Sequence, residues 1–133
     1  MQNILIVGQC NYDFQQISST ISQTYDVEIH RADLFDDAIQ SALEQSYALI
    51  LINRIIDRDQ SEGMAIVHEL KSNPRTDRIP VMIISNYQQA QDVAVAAGAS
   101  PGFGKGALDT PRTFELLSEF LVSKKSKDGF GNV

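Results

Sequence analysis

The sequence has little of several residue types, and each shortage excludes a class of protein. Cysteine occurs once, at Cys10, so no disulfide can form within the chain. This is typical of a reducing compartment, and we expect a cytoplasmic location. Positive charge is also scarce, since 11 lysine and arginine residues face 17 aspartate and glutamate residues and give a net charge of −6. Because nucleic-acid binding depends on basic residues that neutralise phosphates, we expect no direct nucleic-acid partner.

Long apolar stretches are missing as well. No apolar run approaches the roughly 20 residues that a transmembrane helix needs, so we expect no membrane partner. The first residues lack both the charges and the apolar stretch of a secretion signal. Of the 133 residues, 43% are hydrophobic, which is enough for the core of one domain. We expect that domain to cover residues 1–122, followed by a polar, disordered tail of residues 123–133.

Short, continuous apolar runs are what the chain does have. The clearest run, residues 47–52, stops at the polar Asn53, and another, residues 4–7, stops at Gly8. Continuous rather than alternating apolar residues are typical of strands that are buried on both faces of a parallel sheet. The five expected strands lie at residues 4–7, 27–30, 49–52, 79–85 and around Phe103.

Between these runs, apolar residues recur at helical spacing. The expected helices cover residues 13–24, about 34–43, 63–72, 88–97 and a last segment that begins at Thr110-Pro111. A Thr before a Pro suits the start of a helix, because the hydroxyl caps it and Pro fits its first position. Strands that alternate with helices predict a doubly wound α/β fold, in which a five-stranded parallel sheet has right-handed crossovers.

Several segments resemble the receiver domain of two-component response regulators. They are residues 4–7, 48–53, 62–76, 79–85 and 97–105, and the run LKSNPRT followed by IPVMIIS is the most specific part. The likeness extends from about Asn3 to Leu121. It implies a flavodoxin-like (βα)5 fold with strand order 2-1-3-4-5. It also implies protein partners, such as a histidine kinase or a downstream signalling protein.

The resemblance also shows where this chain departs from typical receivers. In those domains an acidic pair holds Mg²⁺, an aspartate accepts the phosphoryl group, and a hydroxyl and a lysine bind its oxygens. Here Gly8 and Gln9 match the acidic pair, Asn53 the phosphoacceptor, Ser85 the hydroxyl and Lys105 the lysine. An amide has no anionic oxygen to attack phosphorus, and this pair offers Mg²⁺ no carboxylate. We therefore expect a pseudo-receiver that is not an enzyme and needs no metal or other cofactor.

The neutral residues leave Lys105 without its usual counter-charges. A buried ammonium without a partner is costly, so it must reach solvent, lower its pKa or hold an anion. One alternative function is therefore a sensor that binds a small molecule or an anion in the pocket made by Gly8, Gln9, Asn53, Ser85 and Lys105. In the simpler interpretation, Lys105 points to water while Asn53 and Ser85 hydrogen-bond each other.

Receivers commonly bind partners through the face built from the fourth helix, the fifth strand and the last helix. The switch aromatic matches Gly102, with Phe103 one position away, and we assign Tyr87 and Gln91 to the same face. The leading interpretation is a non-catalytic, phosphorylation-independent signalling module that acts by protein–protein interaction. Its oligomeric state stays open, with a homodimer as one option.

Two further interpretations depend on single residues. An enzyme would need convergent acid and base groups at the strand ends, where the sequence offers Ser85 and Lys105. Phosphorylation could instead use Asp57, but this residue lies four positions past the strand end, and we expect it to be too far from Lys105. Asp13 is acidic as well, but we expect it in the first helix, about four residues beyond the acidic-pair positions.

Overall fold

A computed structural model describes residues 1–124, in which strands and helices alternate. The elements are β1 (Gln2–Val7), α1 (Asn11–Thr24), β2 (Val27–Ala32), α2 (Phe35–Glu44), β3 (Leu49–Asn53), α3 (Gly63–Ser72), β4 (Val81–Ile84), α4 (Gln88–Ala96) and α5 (Pro111–Ser118). A short 3-10 turn, Lys105–Ala107, precedes α5. No helix in this part of the chain is long and apolar enough to cross a membrane.

The four strands form one parallel sheet in the order β2-β1-β3-β4. In β1, β3 and β4 the apolar residues are buried, whereas β2 lies at the edge and is only partly covered. The continuous apolar runs therefore correctly predicted strands that are covered on both faces, because successive side chains of a strand point to opposite sides. The doubly wound, flavodoxin-like α/β fold is confirmed.

Each face of the sheet carries its own apolar core. Leu5, Val7, Ile50 and Ile52 pack on the side of α2 and α3, together with residues such as Ile66 and Leu70. Their neighbours along the strands, Ile4, Ile6, Leu49 and Leu51, pack on the side of α1 and α5, together with residues such as Ile21 and Leu117. Because β1, β3 and β4 pair in parallel, their carboxyl ends lie at the same edge of the sheet, where the functional residues were expected.

The expected fifth strand is not formed, and within residues 1–124 the sheet order is 2-1-3-4 rather than 2-1-3-4-5. The segment that follows α4 meets β4 at an isolated parallel bridge between Ile84 and Phe103. Its Ser100 N–H donates to the Val81 carbonyl at 2.8 Å, as in a regular ladder. The next N–H of that ladder, from Gly102, donates instead to the side chain of Gln91. A side chain from α4 thus interrupts the ladder, which explains why the sequence pattern was misleading here.

Helices α1 and α5 each begin with a side chain that caps the first turn. Helix α1 begins at Asn11, two residues earlier than expected, and the Cys10 sulfur accepts a hydrogen bond from the Asp13 N–H at 3.5 Å. Helix α5 begins at Pro111 as predicted, and Thr110 Oγ1 accepts from the Thr113 N–H at 3.4 Å. Such a side-chain cap satisfies one of the N–H groups that the first turn leaves free.

The end of the domain is attached to α1. Ser123 pairs with Tyr25 in an isolated antiparallel bridge, and Lys124 Nζ donates to the Ser22 carbonyl at 2.8 Å. The first two residues of the expected tail therefore lie against the helix. Residues 125–133, to which the expectation of disorder also applies, lie outside the described residues.

Candidate functional site

Four of the five expected pocket residues meet at the carboxyl edge of the sheet. Gly8 follows β1, Asn53 ends β3, Ser85 follows β4, and Lys105 opens the 3-10 turn. A cavity of about 310 Å³ lies among the last three of them. Its lining includes Asn53, Asp57, Ser85, Asn86, Tyr87 and Lys105. The edge is the usual place for a ligand site in a parallel α/β sheet.

The Asn53 amide serves as a structural donor. Its Nδ2 donates to the Gly8 carbonyl at 3.0 Å, and the Asp57 N–H donates to the same carbonyl at 2.9 Å. The alternative in which Asn53 and Ser85 hydrogen-bond each other is therefore wrong. Ser85 Oγ instead accepts from the Tyr87 N–H at 3.1 Å. The first bond fastens the end of β3 to the end of β1, and the second closes the turn into α4.

Lys105 does have a counter-charge, contrary to the expectation. Its Nζ lies 2.7 Å from Asp13 Oδ2, and this hydrogen bond lowers the pKa of the Asp13 carboxyl. The two side chains are 37% and 28% exposed, so water screens the pair and it contributes at most about 1 kcal/mol to stability. The position of Asp13 in the sequence was misleading because α1 begins only a few residues after β1, which brings the first turn of the helix to the strand ends. A carboxylate in that turn is the signal that could have identified the partner of Lys105.

Gln9 is separated from the other pocket residues. Its side chain is buried with 3% exposure, and neither Oε1 nor Nε2 has a hydrogen-bond partner among residues 1–124. Its backbone carbonyl accepts a hydrogen bond from Arg31 Nη2 at 3.1 Å. Gln9 lines a second cavity, beside Arg31 and Asp33, rather than the one that contains Lys105.

Asp57 lines the same cavity as Lys105. The loop from Arg54 to Glu62 folds back on itself, since the Gly63 N–H donates to the Arg54 carbonyl at 2.7 Å. Asp57 therefore lies nearer to the site than its position in the sequence indicated. Among the described residues, no ion pair joins its carboxylate to Lys105.

The residues that we assigned to the interaction face differ in accessibility. The Tyr87 side chain is exposed and stacks against the Arg54 guanidinium, which lies 5.3 Å from the ring centroid. Phe103 is buried in the core beside α5. Gln91 is buried as well, and its Oε1 accepts from the Gly102 N–H at 2.8 Å. Among these four residues, Tyr87 is thus the one whose side chain a partner can reach.

Comparison with known proteins finds no matching family model and no matching curated sequence, but the fold has clear counterparts. A putative response regulator from Chloroflexus aurantiacus matches with a TM-score of 0.72 and 16% identity, over 89% of this chain and 93% of that one. A response regulator receiver domain protein from Methanospirillum hungatei matches with 0.66 and 19%, over 90% of each chain. The chain has the receiver fold.

A third structural neighbour is a receiver domain whose structure contains a metal ion. The receiver domain of a sensor histidine kinase from Pseudomonas aeruginosa has a TM-score of 0.69 and 18% identity, over 90% of this chain and 96% of that one. Its structure holds a magnesium ion in the active-site cleft. In the present chain, no three His, Cys, Asp or Glu side chains within residues 1–124 are grouped to hold a metal ion. Gly8 and Asn53 bring no carboxylate to the strand ends, whereas Asp13 pairs with Lys105 and Asp57 lines the cavity that contains it.

Proposed function

We propose that this chain is a non-catalytic signalling module of the two-component type, which binds a protein partner and is not controlled by aspartyl phosphorylation. The observation that carries the proposal is the amide of Asn53, which stands at the end of β3 and donates to the Gly8 carbonyl at 3.0 Å. An amide nitrogen engaged in this way is neither a nucleophile toward phosphorus nor a ligand for Mg²⁺. The partner class is a histidine kinase or a downstream signalling protein, and the place of action is the cytoplasm.

The backbone at Gly8 supports the same proposal. Its φ is +80°, and a Cβ at this position would lie 2.5 Å from Ile56 Cδ1. An acidic side chain for Mg²⁺ would therefore meet both an unfavourable backbone conformation and an occupied space. Gly8 therefore suits a domain without a carboxylate at this position, because an acidic side chain would require changes in the backbone and in the packing of Ile56.

The cavity beside Lys105 supports a second candidate, the sensor of a small molecule or an anion. Its 310 Å³ and its polar lining could accept such a ligand. The ion pair with Asp13 counts against it, since a lysine that already has a carboxylate at 2.7 Å gains less from an anion. We therefore rank partner binding first.

Treatment with a phosphodonor tests whether phosphorylation is excluded. Acetyl phosphate and Mg²⁺ are expected to give no phosphoryl adduct by mass spectrometry. Mg²⁺ followed by beryllofluoride, which mimics an aspartyl phosphate, is expected to leave the amide NMR signals of Asn53, Ser85 and Lys105 in place. An adduct that forms on the wild type and is lost in an Asp57→Asn variant would identify Asp57 as the acceptor and contradict the proposal.

Two exposed tyrosines allow a matched test of partner binding. Tyr87 lies on the α4 side of the molecule and Tyr12 in α1, with exposures of 64% and 70%. We expect Tyr87→Ala to weaken capture of the wild type's partner from cell extract by about tenfold, because exposed aromatics are frequent anchors of interfaces. Tyr12→Ala is the control and should leave capture unchanged. Equal capture by both variants would place the interface elsewhere.

A further inference from the structure

A second cavity lies at the carboxyl edge of the sheet, on the side of β2. Its volume is about 290 Å³, close to the lower end of the roughly 300–1,000 Å³ of small-molecule sites. The side chains that matter for its chemistry come from three separate segments, at the carboxyl ends of β1, β2 and β3, and are Gln9, Asn11, Arg31, Asp33, Asp57 and Arg58. Asp57 also lines the cavity beside Lys105, whereas the other five do not. Its size favours a small ligand.

The two arginines of this cavity are held by one carboxylate. Asp33 Oδ1 accepts from Arg31 Nε at 3.0 Å, and Asp33 Oδ2 accepts from Arg58 Nη2 at 2.8 Å. Arg31 is fixed further, because its Nη2 donates to the Gln9 carbonyl at 3.1 Å and its guanidinium lies 4.7 Å from the centre of the Phe14 ring. A guanidinium has five N–H donors, so both arginines keep donors for another group.

The other carboxylate of the cavity is free. Among residues 1–124, the Asp57 side chain has no ion pair, whereas Asp33 uses both oxygens on the arginines. The four charged side chains are two cations and two anions, so their formal charges cancel. A ligand with a net charge therefore gains little from the cavity as a whole. A ligand with one charge of each sign can pair with the arginines and with Asp57 together.

Gln9 contributes an uncharged side-chain amide that needs one hydrogen-bond donor and one acceptor as partners. Both atoms of its buried amide lack a partner within the described part of the chain, which is an unfavourable state for a group removed from water. Rotation of the side chain toward the cavity that it lines would bring the amide to a ligand. Oε1 would accept from an ammonium group, and Nε2 would donate to a carboxylate.

We propose that this cavity binds a small zwitterion of the amino-acid type. The carboxylate of the ligand pairs with Arg31 and Arg58, and its ammonium group pairs with Asp57. The Gln9 amide bridges the two. Arg–carboxylate pairs are charge-assisted and directional, so the arginines orient the ligand. Since Arg58 is 62% exposed, water competes with the ligand, and we expect a weak affinity, in the millimolar to micromolar range. Tyr87 does not line this cavity, so the proposal of a ligand site and the proposal of partner binding through Tyr87 can be tested and refuted independently.

Amide NMR of the complete protein tests this site with defined probes. L-alanine, L-glutamate and L-lysine are titrated to about 20 mM, which detects millimolar binding. Acetate and methylammonium serve as probes with a single charge. At least one amino acid is expected to shift the signals of Gln9, Asn11 and Arg58 to saturation, with an affinity at least about tenfold above either single-charge probe. No saturable shift with any amino acid would overturn the proposal.

Variants of the exposed loop test the assigned roles. Arg58→Ala and Asp57→Asn are each expected to weaken binding by about tenfold, as expected for the loss of one charge-assisted hydrogen bond. Arg112→Ala is the matched control, since Arg112 is an exposed arginine that pairs with Glu115 on α5, and it should leave the affinity unchanged. Acetate binding as tightly as the amino acids, or shifts centred on Ser85 and Lys105, would contradict a zwitterion site at this position.

Discussion

Replacement of Gln91 by leucine is expected to lower the free energy of unfolding by about 3 kcal/mol. The buried Gln91 Nε2 donates to the Ile83 carbonyl at 2.9 Å and to the Ser85 carbonyl at 3.2 Å. Its Oε1 accepts from the Gly102 N–H at 2.8 Å. Leucine fills a similar volume but leaves three backbone groups without partners, each of which costs about 1–3 kcal/mol when it stays dry. Urea unfolding measures the change.

Gln88→Leu is the matched control for this prediction. Gln88 lies on the same helix, but its side chain is exposed and bonds Asp92. Exposed pairs of this kind contribute about 0.2–0.5 kcal/mol, so the control should be nearly neutral. A neutral Gln91→Leu would mean that Gly102 N–H reaches the Ile83 carbonyl directly and completes a fifth strand. In that case the glutamine would have no structural role in holding this segment.

The Gln91 contacts also have a consequence for signalling. They tie α4 to β4 and to the segment that carries Gly102 and Phe103, so these elements are expected to move as one unit. Phe103 is already buried in the core beside α5. The binding surface that we propose around Tyr87 lies at the start of this unit.

Gly8→Asp, which introduces a carboxylate at an acidic-pair position, is expected to destabilise the domain by about 3 kcal/mol. Gly8 has a φ of +80°, where a residue with a Cβ costs about 1–2 kcal/mol, and aspartate, which tolerates this region better than most residues, lies at the lower end of that range. The new Cβ would also lie 2.5 Å from Ile56 Cδ1, and relief of such an overlap in a packed core costs about 1–3 kcal/mol. The free energy of unfolding in urea measures the sum.

A double-mutant cycle separates the two causes of this penalty. Ile56→Val deletes Cδ1, the atom nearest to the new Cβ, and alone costs about 0.5–1.5 kcal/mol. In the Ile56→Val background, Gly8→Asp should cost at least about 1 kcal/mol less than in the wild type. Equal costs in both backgrounds would show that the overlap with Ile56 Cδ1 does not oppose an aspartate at this position. The crowding argument for the lost acidic pair would then be wrong.

The strands show which structural features a local sequence pattern can predict and which it cannot. A buried strand has to be apolar on both faces, so β1, β3 and β4 are recognisable from continuous runs of Ile, Leu and Val. The segment around Phe103 contains an apolar residue too, but whether it joins the sheet depends on the backbone partner of Gly102. Gln91, 11 positions away, takes that N–H. The apolar pattern around Phe103 cannot show that the Gln91 side chain takes the hydrogen bond that a strand would make with β4.

For the candidate site too, some features could be predicted from the sequence and others could not. Asn53 was evident at the end of an apolar run, and the resemblance to receiver domains matched it to the phosphoacceptor. Its chemistry follows from the amide itself. The partner of Lys105 was not evident, because Asp13 is 92 positions away and its role depends on where α1 begins. The second cavity likewise combines residues from the ends of three different strands and the segments that follow them. Its charges balance only when those segments are brought together.

The sequence by itself therefore determined the parallel α/β fold and the absence of a carboxylate at the end of β3. Both follow from residue type and from periodicity along one segment. Only the tertiary structure decided the ion pair of Lys105, the interruption of the ladder by Gln91 and the neutral cavity beside Gln9. Each of these is a contact between distant segments, and its geometry is fixed by the packing of the helices on the two faces of the sheet.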